Sequence, residues 1–322
     1  MFAPPEKLKA DVFARIPDKF RTHTRESEWA RIQLHGAPAP VFLEGPSFDL
    51  DGNLWVVDIP WGRIFRIDPQ GGVELAAEYD GEPNGLKFHP DGRAFIADCK
   101  NGIMVMDPRT GRVEPYLERA RLEKFKGCND LFFASNGDLY FTDQGQTGLH
   151  DPTGRLFRLR PSGQLDIVLA GIPSPNGLVM NLDETAVYLA VTRDNAIWRV
   201  PLMADGTATK VGVYIQMSGG GGPDGIALDG EGGLAVCHVG FGAVWLFSPR
   251  GEPVYRIDSP AGLYTTNCAY GGADGRTLSM IESRSGTILT TQLPVAGRAM
   301  YSHSGAAGQG PNSAAGQGPK TT

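Results

Sequence analysis

The sequence predicts an all-β protein, specifically a six-bladed β-propeller with four antiparallel strands per blade. Three observations lead to this fold class: a high glycine content, one short phrase that recurs six times, and further β-rich runs after most copies. Glycine supplies 43 of the 322 residues, about 13% against a usual share of about 7%. So much glycine is unsuited to a helical bundle, and without a G-X-Y period it does not indicate collagen.

The recurring phrase consists of a polar anchor residue, an apolar stretch, a glycine-bearing turn and a β-rich run. Its copies start 40 to 48 residues apart, and in each the turn begins seven residues after the anchor. Asp-Gly and Asn-Gly at these turns favour tight β-hairpins. A repeat of this length built from hairpins is typical of propeller blades. The six anchors are Glu44, Asn84, Asn129, Asn176, Asp224 and Asn267.

Two further strands complete most of the repeats. A third strand follows most anchors by about 20 residues, as in RIFRID from Arg63, and a weaker fourth strand follows it, as in VELAAEY from Val73. The last repeat shows only three strands, so we expect the N-terminal segment Val12 to Ile16 to supply its fourth and close the ring. The predicted organisation is an N-terminal extension over 1–39, the propeller over 40–297 and a disordered, Gly/Ala/Gln/Pro-rich tail over 298–322.

Charge and composition exclude several classes of protein. The formal net charge of −6 and the absence of a Lys/Arg cluster argue against a nucleic-acid partner. The sequence contains no apolar run of about 18 residues and no signal-peptide pattern, so we expect no membrane association and a cytoplasmic location. The four cysteines occur singly, which favours buried free thiols over disulfides or a zinc site. The oligomeric state is left open.

The anchors predict a metal site. The first strand of each blade lines the central channel of a propeller, so the six anchors are expected to ring one mouth of that channel. They offer two carboxylates and up to four amide carbonyls, an all-oxygen set that hard cations prefer. Calcium tolerates irregular geometry best, with Mg²⁺, Mn²⁺ and Zn²⁺ as alternatives. The competing interpretation is that Asn and Asp only satisfy backbone donors at strand starts.

Four segments of the sequence resemble the senescence-marker protein (regucalcin) and gluconolactonase family. They are LEGPSFDLDGNLWVVDI from Leu43, CNDLFFASNGDLYFTD from Cys128, SPNGLVMNLDETAVYLA from Ser174 and GPDGIALDGEGGLAV from Gly222. The resemblance implies a six-bladed propeller lactonase with one divalent metal, commonly calcium, in the channel. It implies four metal ligands: Glu44, Asn129, Asn176 and Asp224. Gln144 and Gly127 depart from patterns of sugar-specific branches, so the resemblance does not fix the lactone.

Lactone hydrolysis needs a polarised carbonyl and an activated water, and it suggests roles for further residues. Calcium acidifies water weakly, so a carboxylate is expected to take the proton. Asp224 is the candidate base, or alternatively the direct nucleophile. Residues predicted to contact substrate, each with a structural role as the alternative, are Asn84, Asn267, Trp61, Asp143 and His238. The insertion QGQTGLHDPTG from Gln144 is a candidate lid.

Two other functions fit the same features. One is hydrolysis of organophosphate or fluorophosphate esters at the same metal and Asp224. The other is a propeller without catalytic activity that binds a ligand or protein, because this fold hosts both kinds of function. The two carboxylates among the anchors favour an enzyme, since a binding module does not need them at the channel mouth.

Overall fold

The computed structural model describes residues 2–23, 26–145 and 147–303. Six blades of four antiparallel strands follow one another in the described chain; the last is completed from the N-terminus, and the sheet of blade 5 has one additional strand. The predicted six-bladed β-propeller is therefore confirmed.

Each blade has an inner strand at the channel and three strands outside it. The inner strands of blades 1 to 6 are Leu43–Phe48, Pro83–Phe88, Cys128–Phe133, Pro175–Met180, Gly222–Leu228 and Thr265–Gly271. The second strands are Leu54–Asp58, Ala94–Asp98, Leu139–Asp143, Ala186–Val191, Leu234–Val239 and Thr277–Glu282. The third strands are Arg63–Ile67, Gly102–Asp107, Gly154–Leu159, Ala196–Pro201, Ala243–Phe247 and Thr287–Gln292. The outer strands are Val73–Glu78, Arg112–Leu117, Leu165–Ile172, Gly212–Gln216, Pro253–Asp258 and, for blade 6, Asp11–Arg15. A short hairpin, Arg119–Ala120 with Glu123–Lys124, connects blades 2 and 3.

A β-bulge interrupts the pairing of the inner and second strands near the start of every inner strand. In blade 1, for example, the pairing shifts register between Glu44 and Ser47. Bulges re-aim the side chains beside them. Since the same irregularity recurs in all six blades, it gives the start of each inner strand one common backbone arrangement around the channel mouth.

The N-terminal segment joins the ring at two places. Asp11–Arg15 pairs antiparallel with Thr287–Gln292, and this strand contains most of the segment Val12 to Ile16 expected there. Glu6–Lys9 adds a fifth, parallel strand to blade 5 along Pro253–Asp258. The chain start therefore covers the outer edges of two neighbouring blades, which otherwise would present unpaired backbone groups.

Apolar side chains of adjacent blades pack against each other and hold the ring together. Between blades 2 and 3, for example, Phe95 and Ile103 share one cluster with Phe141 and Phe157. Phe141 and Phe157 are fully buried and stack with ring centroids 5.2 Å apart. Burial of large aromatic rings of this kind supplies much of a core's stability.

A short helix, Glu28–Gln33, lies near the channel mouth, and the sequence reasoning did not predict it. Ser27 caps its first turn, because the Ser27 hydroxyl accepts a hydrogen bond from Ala30 N. Trp29 is buried against Phe42 and anchors the helix on blade 1. None of the helices within the described residues is long and apolar enough to cross a membrane.

The segment Arg298–His303, which we call the C-terminal strap, runs across the face of the propeller opposite the anchors. Arg298 donates hydrogen bonds to the carbonyls of Met180 and Asn181 in blade 4, and its guanidinium lies over the ring of Phe132 in blade 3. The prediction of a disordered tail from residue 298 is therefore wrong for these six residues, which have specific partners. The rest of that predicted tail, 304–322, lies outside the described residues.

Candidate metal centre

A cavity of about 330 Å³ opens at the channel mouth where the inner strands begin. All four predicted metal ligands line it, each from a different blade, and all four are buried: Glu44, Asn129, Asn176 and Asp224. Asn84, one of the predicted substrate residues, lines the same cavity from blade 2. The structure thus brings five of the six anchors together.

The sixth anchor differs from the expectation. The residue before each anchor pairs with the last or a late residue of the second strand, as Leu43 pairs with Asp58 in blade 1. In blade 6 the corresponding pair is Thr265 with Glu282, so Thr266 holds the anchor position and lines the cavity. The sequence register was therefore one residue late in this blade. Asn267 has the residue type expected of an anchor and a spacing within the repeat range, so the sequence pattern selects it instead of Thr266.

Asn267 instead occupies the position after the anchor, one residue deeper in the channel. Four blades have glycine there, while blade 3 has Asp130 and blade 6 has Asn267. The glycines leave space for these two side chains: a Cβ on Gly225 would lie 2.1 Å from Asn267 Oδ1, and one on Gly85 would lie 2.6 Å from Asp130 Oδ1. Sequence reasoning overlooked Asp130, although its motif carried the signal, an acid where the other blades have mostly glycine.

Asn267 and Lys87 contact two of the buried carboxylates, those of Glu44 and Asp130. Asn267 Nδ2 donates to Glu44 Oε2 at 2.8 Å, and Gly45 N donates to the same oxygen at 2.9 Å. Lys87 Nζ lies 4.0 Å from Asp130 Oδ1. We call Glu44, Asp130 and Asp224 the acidic centre.

The acidic centre is electrostatically strained. Burial raises the pKa of Glu44 to about 7, with hydrogen bonds from Gly45 and Asn267 opposing this and the charge of Asp130 adding to it. Burial, followed by the charges of Glu44 and Asp130, raises the pKa of Asp224 well above its usual range. Burial also raises the pKa of Asp130, although Lys87 opposes the rise. Buried carboxylates with these shifts favour either protons or a cation.

The donor set fits one divalent cation. When all three carboxylates are ionised, Lys87 balances one charge and two negative charges remain. Asn129 and Asn176 add amide oxygens, and all-oxygen sets of carboxylate and amide are typical of Ca²⁺. In the described part of the chain, no three His, Cys, Asp or Glu side chains gather as metal ligands. A cation at this mouth must therefore take amide oxygens as well as carboxylates.

Asp143 has a structural partner instead of a place in the cavity. Its Oδ2 accepts from Arg155 Nη2 at 2.5 Å, and its Oδ1 accepts from Lys126 N at 2.7 Å. Asp58 does the same in blade 1, where it pairs with Arg63 and accepts from Phe42 N. The carboxylate at the end of the second strand therefore fastens the backbone that enters the inner strand, and the expected position of Asp143 at the rim is wrong.

His238 and Trp61 also lie outside the cavity lining. His238 is buried, donates from Nε2 to the carbonyl of Gly219 at 2.8 Å and stacks on Phe241. Burial lowers its pKa, so the ring is neutral at physiological pH. Trp61 is buried, and its indole N–H donates to the carbonyl of Ala39. Of the predicted lid, only Gln144 lines the cavity among the described residues.

Part of the cavity wall comes from segments that the repeat pattern does not predict. Trp29, Gln33 and His35 reach it from the N-terminal helix and the turn that follows. Arg193 and Arg284 reach it from loops after the second strands of blades 4 and 6. The helix lies outside the six repeats, so the repeat pattern contains no sign of it. The two arginines occupy equivalent positions in the repeats of blades 4 and 6, so aligning the loops of the six repeats identifies them.

These features define a six-bladed propeller with a buried acidic centre in a channel mouth. The chain belongs to the SMP-30/gluconolactonase/LRE-like family, whose model matches residues 42–284. This match confirms the resemblance drawn from the four sequence segments.

Individual relatives agree with this assignment. A gluconolactonase of Zymomonas mobilis is 32% identical over 268 residues, which cover 73% of this chain and 74% of the relative. The lactonase drp35 of Staphylococcus aureus is 30% identical over 246 residues, covering 72% and 73% respectively. The solved structure of a calcium-binding protein, regucalcin, from Agrobacterium tumefaciens aligns with a TM-score of 0.69 and 26% identity, covering 80% of this chain and 92% of the other.

Proposed function

We propose that the protein is a metal-dependent lactonase that opens the ring of a small lactone. The observation that carries this proposal is the buried set of two carboxylates and two amides that line one cavity: Glu44, Asn129, Asn176 and Asp224. The gluconolactonase and lactonase names of the relatives support the reaction class. The calcium-binding name of the regucalcin neighbour supports Ca²⁺ as the cation.

The four residues named above would hold the cation. When bound, it supplies Lewis-acid polarisation of the lactone carbonyl. Asp224 takes the proton of the attacking water while the water oxygen bonds to the carbonyl carbon. The ring C–O bond then breaks, and its oxygen leaves as an alcohol after receiving that proton from Asp224, which returns to its ionised form. Asn267 holds Glu44 in one orientation throughout, and the buried channel excludes bulk water from the acidic centre.

The alternative role of Asp224 is that of a direct nucleophile on the lactone carbonyl carbon. A single turnover in oxygen-labelled water distinguishes the two, because a base directs the label into the product, whereas a nucleophile whose acyl intermediate is hydrolysed at the Asp224 carboxyl carbon leaves the label on that carboxylate. Peptide mass analysis of the protein measures the second outcome.

The main test combines a substitution, a cation and a substrate panel. Purified protein is treated with EDTA, then reloaded with Ca²⁺, Mg²⁺, Mn²⁺ or Zn²⁺ and assayed on aldonolactones, aromatic lactones and phosphotriesters. We expect activity on lactones that EDTA removes, Ca²⁺ restores and Asp224→Asn abolishes. Asp51→Asn is the control, because Asp51 is exposed in a hairpin turn on the far face. Full activity in EDTA would overturn metal dependence, and turnover of phosphotriesters alone would overturn the lactonase assignment.

We also propose that the protein acts in the cytoplasm. All four cysteines are free thiols in the structure, three of them buried, and free thiols are typical of reducing compartments. Fractionation of cells that express the native gene tests this location.

A further inference from the structure

Two arginines occupy the same repeat position on either side of the blade that carries Asp224. The equivalent residues in the second strands of blades 4, 5 and 6 are Val191, His238 and Glu282. Each of them pairs with the residue directly before the anchor position of its blade. Two residues further on, blade 4 has Arg193, blade 5 has Gly240 and blade 6 has Arg284. All three line the cavity. The glycine of blade 5 therefore places no side chain between the two guanidinium groups.

Neither arginine forms an ion pair with any described residue. Arg193 is exposed, and its charge lowers the pKa of Asp224 against the larger effect of burial. The Arg284 guanidinium lies 4.8 Å from the ring centroid of Tyr264, a contact that orients it without neutralising it. The basic residue at this repeat position in blade 2, Lys100, is different: it pairs with Asp80 and does not line the cavity.

The balance of charge in the cavity leaves these arginines without an anion. A divalent cation and Lys87 would neutralise the three carboxylates of the acidic centre. The two guanidinium groups then remain as unbalanced positive charges beside the reacting position. Guanidinium groups bind carboxylate and phosphate oxygens through paired hydrogen bonds, and such charge-assisted bonds are among the strongest in proteins.

We propose that the substrate is a lactone with an anionic substituent outside the ring, a carboxylate or a phosphate, bound by Arg193 and Arg284. This inference rests on the proposed lactonase function and names its substrate class. The ester carbonyl lies at the acidic centre, and the anionic group lies against the arginines on the blade 5 side of the mouth.

The test compares matched neutral and anionic lactones. One pair is a hexonolactone and the hexarolactone in which a carboxylate replaces the terminal hydroxymethyl group. The second pair is gluconolactone and its terminal phosphate ester, so the two pairs separate carboxylate from phosphate as the preferred group. We expect kcat/KM for the anionic member to exceed that of the neutral member by about ten- to hundredfold, the range for a hydrogen bond to a charged group. High salt should reduce the preference, because exposed charges are screened.

Substitutions locate the preference. Arg193→Gln and Arg284→Gln should each lower the ratio of kcat/KM for the anionic lactone to that for the neutral lactone about tenfold or more. Arg193→Lys should restore part of the loss, since it keeps the charge without the planar fork. Lys100→Gln is the matched control, because it removes a positive charge at the same repeat position outside the cavity, and it should change neither rate.

A binding measurement separates this inference from the lactonase proposal. Calorimetric titration with the open-chain hexarate dianion and the hexonate monoanion needs no turnover, and we expect the dianion to bind more tightly only when both arginines are present. Neutral lactone turnover without any preference for anionic lactones would overturn the inference and leave the lactonase proposal intact. The inference would also be overturned if the native protein and Arg193→Gln showed the same relative affinity for the two anions. This outcome would count even if no lactone were hydrolysed.

Discussion

Replacing Asp224 with Asn should stabilise the cation-free protein while it abolishes activity. Asp224 is buried beside Glu44 and Asp130, and these surroundings raise its pKa well above the usual range. A carboxyl group whose pKa is raised on folding stabilises the fold below its unfolded pKa, and this advantage is lost as the pH rises towards the folded value. At neutral pH the group therefore opposes folding, and an amide of the same shape removes that opposition.

The magnitude is bounded by the pH of the experiment. One pH unit corresponds to about 1.36 kcal/mol, and the unfolded carboxyl titrates near 3.8, so at pH 7 the cost of Asp224 cannot exceed about 4 kcal/mol. Part of that is returned because the variant weakens the hydrogen bond between Asn176 and residue 224. We expect the free energy of unfolding in EDTA to rise by about 1–3 kcal/mol, and Tm by about 2–4 °C per kcal/mol.

Urea unfolding in EDTA and in Ca²⁺ measures the effect. A cation at about a hundred times its Kd stabilises the native protein by about 2.7 kcal/mol, and the variant, lacking a ligand, should gain much less. The stability advantage of the variant in EDTA should therefore shrink or be lost in Ca²⁺. Asp143→Asn is the control, because this buried carboxylate has an ion-pair partner in Arg155, and breaking that pair should cost about 3–5 kcal/mol in both conditions.

One result would refute the reasoning directly. If Asp224→Asn lowered the free energy of unfolding in EDTA as Asp143→Asn does, then Asp224 would be a satisfied structural carboxylate, and the acidic centre would not be strained. If Ca²⁺ stabilised the variant as strongly as the native protein, Asp224 would not be a ligand.

Three further predictions follow from the same structure. Ca²⁺ affinity should fall as the pH drops below about 7, because the cation competes with protons for Glu44 and Asp224, whose pKa values are raised. Titration calorimetry in buffers of different ionisation enthalpy should show that Ca²⁺ binding releases protons. A Ca²⁺ affinity that did not depend on pH would contradict this prediction. Gly225→Ala should displace Asn267 from Glu44 and weaken Ca²⁺ binding about tenfold, measured by the same titration, whereas Gly212→Ala, with no atom near its Cβ and no positive φ, should leave Ca²⁺ affinity unchanged. Deleting residues 1–15 should open blade 6 and lower Tm by more than about 10 °C in a thermal melt, since it removes an entire strand; an unchanged Tm would show that the ring does not need this closure.

The sequence predicted the blades well because hairpin turns and short β-rich runs are local signals. Asp-Gly and Asn-Gly turns mark the hairpins wherever they fall, and the anchor register places Glu44 and Asp224 at one mouth. The register failed only in blade 6, where Asn267 stood at the expected spacing and Thr266 held the position. A bulge beside each anchor makes such one-residue shifts invisible in the sequence.

Other parts of the site depended on tertiary contacts that no local pattern records. Asp143 and His238 lie at the same repeat position, yet their partners, an arginine of the same blade and a loop carbonyl, hold them away from the cavity. The helix with Trp29 reaches the mouth only because it packs on blade 1. The C-terminal strap was mistaken for tail because composition averages over a window, and a few residues such as Arg298 can dock specifically inside a Gly/Ala-rich stretch.

The C-terminal strap also affects access to the channel. It crosses the far face of the propeller between Met180 of blade 4 and Ser47 of blade 1, whereas the cavity at the acidic centre opens at the anchor mouth. Reactant and product of a reaction at this centre would then share the anchor mouth. A hydroxy acid that lingers there blocks the next lactone, so inhibition by product should be competitive, and the rate of its departure sets an upper limit on turnover.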